Sequence, residues 1–379
     1  MTDLNALPLD TEVLLAGLKP WIECESPTFD PAAVNRMMDL AAAETAAAGA
    51  TITRLPGPMG LGDCVLGDFP HPRRGEPGIL VMSHLDTVHP VGTLEKLPFR
   101  REGSRCYGPG ILDMKGGAYA GLQAIVALAK AGVETKLPVS VLYTSDEEIG
   151  SPGTRDIILE QARRHRFVLV PEPGQPADNV VTGRYAIARF NLLAEGRPSH
   201  AGAKLKDGRS AISMMARQLL AIEAMTDEDC TFSVGVIQGG QWVNCVPTSC
   251  RAEALSMAKR QADLDRGVER MLVLTNRDTD STGFTVSRGV TRPVWEPDDA
   301  TMKLYGVARE VAAEIGWELG HASAGGGSDA NFTGAAGIPS LDGLGVLGAG
   351  YHTLGEYIEV DSLPRRIRLM AGLLARLSA

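Results

Sequence analysis

Apolar residues in the first half of the chain arrive in two spacings. Residues 10–22 and 31–49 carry them at helical intervals, the second stretch starting after Asp30, a good N-cap, and ending near Gly49. Short strand-like runs follow at 51–54 and 64–67, and then GILVMS at 78–83, a continuous apolar run of the kind a strand buried on both faces shows. Residues 116–131 return to helical spacing, with Leu122, Ile125, Val126 and Leu128 in the apolar positions, and 138–144 and 167–170 give two more buried strands. Each of these three strands runs into side chains that carry chemistry: His84-Leu85-Asp86, then Asp146-Glu147-Glu148, then Pro171-Glu172-Pro173. Open α/β sheets place their sites past the carboxyl ends of their strands, so this threefold coincidence predicts a site.

From about Gly183 the rhythm changes. Residues 185–195 alternate, 210–225 are helical with Ile212, Met215, Leu219 and Ile222 on one side, and 231–238 and 249–258 are strand-like. A helix at 263–275 and a strand at 283–290 complete the order β-α-β-β-α-β, the split βαβ arrangement of a ferredoxin-like domain. After Pro293 the earlier style resumes, with a helix at 299–315, a Gly-rich segment through Gly350, and a closing helix at 361–377 with Asp361 as cap and Pro364 in its first turn. The expected fold is therefore α/β, a mixed sheet with helices on both faces, formed by residues 1–182 and 293–379. A smaller α+β domain, 183–292, is inserted into it.

Composition adds limits to this picture. A chain of 379 residues is long enough for two domains, and 44% apolar with 22% charged residues is a globular composition. The net charge of −9 argues against a nucleic-acid partner, and no run approaches the roughly 18 apolar residues of a membrane span. The opening MTDLNALPLD has no basic n-region, so no secretory signal and a cytoplasmic location are expected. The six cysteines form no Cys-x-x-Cys pair and are expected to be free thiols.

Glu147 and Glu148 stand side by side and would repel each other if both were ionised in a cleft of low dielectric. A divalent cation resolves the conflict: one carboxylate coordinates it while the neighbour, pointing another way, handles a proton. A solvated acidic loop with Asp146 as a third member is the alternative for this stretch alone. His84 and Asp86, two apart, share one side of a continuing strand, so Asp86 is placed to fix the imidazole tautomer. Asp113 lies in a glycine-flanked turn leading into a helix, where it is either a bridging ligand or an ordinary N-cap, and Glu172 is held rigid between two prolines. With His352, the set His84, Asp113, Glu148, Glu172 and His352 offers two imidazoles and three carboxylates, a donor set suited to zinc ahead of manganese or cobalt. If Asp113 bridges, each of two ions has one His, one terminal carboxylate and the shared Asp.

Several motifs, in this order, resemble the M20 family of zinc peptidases and deacylases, and within it the glutamate carboxypeptidases. They are His84-x-Asp86, Gly110-x-x-Asp113-Met-Lys-Gly-Gly117, Asp146-Glu147-Glu148-x-Gly150-Ser151, Glu172-Pro173, Arg197-Pro-Ser-His200-Ala-Gly202, Gly327-Ser328-Asp329-Ala-Asn331 and His352-x-x-x-Glu356. The resemblance implies a dizinc catalytic domain with an inserted lid that also forms a homodimer, and hydrolysis of an amide bond in a small peptide or N-acyl amino acid. It implies two Zn²⁺ held by His84, Asp113, Glu148, Glu172 and His352, with Glu147 as general base and Asp86 behind His84. His200 is implied to reach the partner subunit's site and steady the oxyanion, Asn244 to lie near the substrate carboxylate, and Gly327 and Ser328 to line the substrate site.

One departure concerns the substrate. Family carboxypeptidases often carry Asp-x-Arg on a lid strand to grip the terminal carboxylate, whereas the strand here reads Glu253-Ala-Leu-Ser256. Serine cannot supply a bidentate fork, so Arg288 and Arg292 are the substitutes the sequence offers. An acidic-residue carboxypeptidase is the leading expectation, and an aminoacylase or deacetylase using the same catalytic residues is the alternative. A rival class is suggested by Gly343-Leu-Gly-Val-Leu-Gly348, formally a dinucleotide-binding pattern, although it leads to His352 rather than to a long helix.

Overall fold

The computed structural model describes residues 3–378. The chain divides into two units, one containing the described residues up to Gly183 with Glu296–Ala324 and Ser328 onward, the other Arg184–Trp295 with Gly325–Gly327. The second unit thus ends three residues beyond the expected 292 and also takes in a piece of the Gly-rich segment, so that Gly327 and Ser328 fall in different units.

The first unit is built on a six-stranded mixed sheet in the order Thr51–Leu55, Cys64–Asp68, Val139–Thr144, Gly78–His84, His165–Leu169, Ser340–Leu341. The first two strands are antiparallel to their neighbours, and the Gly78–His84 strand runs parallel to those on either side of it. Every residue of Gly78–His84 and of Val139–Thr144 is buried, which is why both runs are apolar without alternation. Because these strands are parallel, His84, the Glu147–Ile149 turn and the Pro171–Pro173 segment emerge at one edge of the sheet.

Two further devices gather the site. A small sheet pairs Tyr357–Glu359 with Arg105–Tyr107 in antiparallel register, Tyr357 opposite Tyr107, and so brings the His352 loop beside the Asp113 loop. The helix Gly116–Lys130 approaches the third strand's exit very closely: a Cβ on Gly117 would lie 1.8 Å from the carbonyl oxygen of Pro171, so only glycine permits the contact. Asp361 differs from expectation. It occupies the N-cap position of the closing helix Ser362–Arg376 but makes no capping bond, because its own backbone is already helical.

The second unit is a five-stranded antiparallel sheet in the order Cys230–Gly239, Ser249–Ala258, Ala186–Glu195, Gly283–Arg292, Asn276–Arg277, with helices Ala211–Glu223 and Gln261–Leu272. Its core is its own, with Phe190, Met215, Phe232, Leu264 and Phe284 buried together. The two-residue strand Asn276–Arg277 was not legible in the apolar spacing. Among the described residues no helix is long and apolar enough to cross a membrane.

Candidate metal centre

His84 ends its strand fully enclosed, 1% exposed. Its Nδ1 donates to the backbone carbonyl of Asp86 at 3.0 Å, which leaves Nε2 facing Asp113 Oδ1 at 3.2 Å and Glu172 Oε1 at 3.7 Å. The Asp86 carboxylate also faces this ring, its nearest oxygen 3.5 Å from Nδ1. The turn after the strand brings the carbonyl closer than the side chain. The carboxylate serves the neighbouring segment as well, accepting from Thr28 Oγ1 at 2.7 Å and from the backbone N–H groups of Glu147 at 3.2 Å and Glu148 at 3.3 Å.

Asp113 sits in a distorted helical turn, Ile111–Lys115, that precedes the Gly116–Lys130 helix, and its backbone is extended (φ −116°, ψ 95°). It is therefore no N-cap. Its two oxygens face opposite partners, Oδ1 toward His84 and Oδ2 toward His352 Nε2, each at 3.2 Å. His352 Nε2 also lies 3.1 Å from Glu148 Oε2. The donor atoms form two sets, His84–Asp113–Glu172 and Asp113–Glu148–His352, the atoms of each within 4.8 Å of one another. The five residues drawn from the sequence are thus brought together within one unit, with Asp113 common to both sets. Glu147 belongs to neither set, although its Oε2 stands 4.0 Å from His84 Nε2. Asp146 does not join them. It is buried under the turn, accepting from Gly153 N at 2.7 Å and Thr154 N at 3.2 Å, and burial pushes its pKa up to about 6.

The electrostatics show what the cluster lacks. Burial pushes the carboxyls of Glu172 and Glu148 upward, Glu172 well above its ordinary value. Burial also acts against charge on Asp113 and His84, yet His352 and His84 hold Asp113 below its ordinary value, and Asp113 with Asp86 holds His84 well above. His352, bonded to Asp113 and Glu148, is raised to about 10. Three carboxylates in a dry cleft want more positive charge than two imidazoles give without holding protons. In addition, Glu148 Oε1 is buried with no hydrogen-bond partner among the described residues. An unsatisfied carboxylate oxygen, two neutral-nitrogen donors and a shared aspartate fit a pair of divalent cations.

Behind the cluster lies a layer of buried acids to which the motifs alone assign no role. Glu356 is fully buried, and its carboxylate accepts from the backbone N–H groups of Gly110 at 2.9 Å, Leu112 at 2.8 Å and Asp113 at 3.1 Å, and from His89 Nε2 at 2.7 Å. One side chain thereby fixes the loop that presents Asp113. Asp329 accepts from Thr144 Oγ1 at 2.9 Å and from the Ser151 hydroxyl, pinning the chain on both sides of Glu147 and Glu148.

The residues proposed to meet substrate are distributed differently. His200, in the second unit, is exposed, and its Nδ1 accepts from Gly202 N at 3.2 Å and Ala203 N at 3.1 Å, so the neutral ring carries its proton on Nε2. Asn244 lies on an exposed loop whose carbonyl accepts from Ala201 N at 3.0 Å. Arg288 donates to Thr291 Oγ1 at 3.0 Å, while Arg292 is 4% exposed with its side chain packed against Gly327. Ser328 is fully buried and its Oγ accepts from Ala330 N at 2.9 Å. Ser256 is also buried, beside Cys230 Sγ at 3.2 Å, in the core of its unit.

Residues 80–376 match the model of peptidase family M20/M25/M40. The chain belongs to peptidase family M20. Among M20 relatives, carboxypeptidase G2 of Pseudomonas sp. (strain RS-16) is 32% identical over 375 residues, which cover 97% of this chain and 89% of that protein. Two solved structures share the fold. The M20 metallo-carboxypeptidase Sso-CP2 of Sulfolobus solfataricus superposes with a TM-score of 0.76 at 15% identity, covering 96% of this chain and 98% of the other. Human carnosine dipeptidase 1 also gives 0.76 at 15% identity, covering 99% and 98%. This M20 chain is accordingly a hydrolytic enzyme of a metal-dependent, carboxypeptidase-like kind. In the Gly343–Gly348 stretch, Gly345 lets the chain pass the Pro171 carbonyl and Gly348 starts a two-residue strand, the next described helix beginning at Ser362.

Proposed function

We propose that this M20 enzyme is a dizinc carboxypeptidase, cleaving an amide bond to release the carboxyl-terminal amino acid of a small peptide or N-acyl amino acid. The reading is carried by Asp113, whose two oxygens each lie 3.2 Å from an imidazole of a different donor set. His84, Asp113 and Glu172 would hold one ion and Asp113, Glu148 and His352 the other. When bound, the ions supply Lewis-acid polarisation of the scissile carbonyl and acidify water.

The chain's own groups do the rest. Glu147, outside both donor sets but bordering one, takes the proton of the attacking water and returns it to the leaving amine. Its backbone N–H, like that of Glu148, is held by Asp86, which fixes the main chain that carries base and ligand. His200, with its proton on Nε2, would reach the partner subunit's site and donate to the oxyanion there, and Asn244 would lie near the substrate carboxylate. Glu147→Gln should retain two equivalents of zinc by elemental analysis and lose roughly 10² to 10⁴-fold in turnover of N-acyl amino acids. Wild-type turnover with zinc bound would refute the role.

The second unit is proposed as a ferredoxin-like lid that also pairs two copies of the chain. What supports this is its outer strand, Cys230–Gly239, which ends the sheet and exposes Val236 (44%) and Ile237 (51%) beside Leu220 (73%) of the neighbouring helix. These residues line an apolar groove of about 400 Å³. An open strand edge flanked by exposed apolar side chains suits a second copy in isologous pairing.

A further inference from the structure

Three stretches of the chain meet at Arg184, where the second unit begins. Its backbone exchanges hydrogen bonds with Trp295, the last residue of that unit's main segment, Arg184 N donating to Trp295 O at 2.8 Å and Trp295 N to Arg184 O at 3.0 Å. Its side chain, 6% exposed, holds the third stretch, with Nη1 donating to the carbonyls of Gly326 at 2.9 Å and Gly327 at 3.2 Å. Gly325–Gly327 accordingly belongs to the second unit, although the chain on both sides of it belongs to the first. The rest of the grip is steric. A Cβ on Gly327 would lie 2.7 Å from Arg292 Cδ and 2.8 Å from Ile187 Cδ1, so the segment passes these side chains only as glycine.

The segment leads directly to the buried acid that braces the base. Two residues after Gly327, Asp329 is 3% exposed and accepts from Thr144 Oγ1 at 2.9 Å and from the Ser151 hydroxyl, one on each side of Glu147 and Glu148. Ser328, between them, is 0% exposed, its N–H donating to Asn331 Oδ1 at 3.0 Å and its Oγ accepting from Ala330 N at 2.9 Å. A chain held this way has little slack. Any shift at Gly327 has only Ser328 in which to be absorbed before it reaches Asp329. A guanidinium suits the other end of this link, because one planar Nη1 presents two fixed N–H groups to two successive carbonyls, whereas an ammonium rotates.

We infer that Arg184 is a positioning residue for the hydrolysis: through Gly326 and Gly327 it sets Asp329, and through Asp329 the turn that carries Glu147 and Glu148. The inference rests on Glu147 being the base of the proposed reaction. It is tested with Arg184→Met in the zinc-loaded full chain, read by kcat and KM on N-acyl amino acids and, without substrate, by amide hydrogen exchange over residues 144–151. The variant should lose about 100-fold in kcat with KM nearly unchanged, since the fault lies in the placement of the base. Exchange over 144–151 should rise roughly tenfold while that of the buried strand 78–84 stays as in the wild type. Arg184→Lys, which keeps the charge and a donor, should recover part of both effects, and Arg184→Met combined with Asp329→Asn should cost little beyond Asp329→Asn alone. Gly327→Ala, which crowds Arg292 and leaves Arg184 in place, should give the same pair of effects and serves where Arg184→Met does not fold. Wild-type exchange over 144–151 in both variants, or losses in kcat from Arg184→Met and Asp329→Asn that simply add, overturns the inference. A wild type that hydrolyses none of these substrates sinks the carboxypeptidase reading, while the exchange measurement still decides whether Arg184 sets the turn.

Discussion

Replacing Glu356 tests whether the M20 metal centre depends on the acid behind it. The carboxylate takes four donors, with Oε1 shared by Leu112 N and Asp113 N and Oε2 shared by Gly110 N and His89 Nε2. In Glu356→Gln the remaining carbonyl oxygen keeps one pair, and the amide NH₂ faces the other. Its best placement keeps Leu112 and Asp113, lets His89 change tautomer and accept, and leaves the buried Gly110 N–H without an acceptor. An orphaned buried donor costs about 1 to 3 kcal/mol. If that cost is met by the loop shifting away from its ligating position, zinc binding weakens by a similar amount, about 10 to 100-fold, the size found when groups behind metal ligands are altered. Glu356→Ala, which removes all four acceptor contacts, should lose more. Zinc affinity is read by competition with a chromophoric chelator, alongside urea unfolding of the metal-free protein. A fall in metal-free stability with unchanged affinity at both ions would refute the positioning argument, because the acid would then be supporting the fold alone.

Two other perturbations address regions away from the metals. Leu220→Glu combined with Val236→Glu places charges in the apolar groove of the second unit, and sedimentation should change from dimer to monomer with zinc content intact; a monomeric wild type would remove the pairing proposal. His165 gives a pH test: burial holds its pKa below the ordinary value although it bonds the Gln161 carbonyl at 2.7 Å. The folded chain therefore resists protonation there, so this share of stability is complete above pH about 6.5 and declines as pH falls below it. Unfolding midpoints measured from pH 8 to 5 should fall less steeply in His165→Gln, and an identical slope would refute the linkage.

The ligands were legible because three of them follow buried strands at once. An apolar run that ends in His84, or a few residues before Glu148 or Glu172, declares both the strand and the edge where it stops. The layer behind them was not legible, because its partners are chosen by packing across long separations. Thr28 reaches Asp86 from 58 residues away and Glu356 reaches Gly110 from 246, with no local spacing to announce either contact. Two-residue periodicity sets Asp86 beside His84, while the turn at Leu85 decides that its carbonyl, 3.0 Å from Nδ1, comes closer than its carboxylate, at 3.5 Å. Ser256 illustrates the reverse case. Motif comparison set it where an arginine often stands, while its register opposite Phe232 and Ala188 turns it into the core of its unit.

These differences separate two kinds of constraint in the M20 scaffold. Asp86, Glu356 and Asp329 are 0%, 0% and 3% exposed, and each holds backbone or hydroxyl groups on segments that carry, or flank, a metal ligand or the base. Changing any of them leaves buried donors unpaired and moves ligands, so the layer tolerates little variation whatever the substrate. The loops at 88–96 and 352–354 obey a different rule. Glu25 holds the Gly92 backbone, Pro90 O accepts from the Thr93 hydroxyl, Glu356 anchors the His89 side chain and Gly350 O accepts from Thr353, but Val88, Val91, Lys96 and Leu354 project exposed side chains. Substitutions on these four side chains should therefore cost little in folding or metal binding. It follows that Val91→Asp should leave zinc affinity and metal-free stability close to wild type where Glu356→Ala lowers zinc affinity, and a comparable loss in Val91→Asp would refute the distinction.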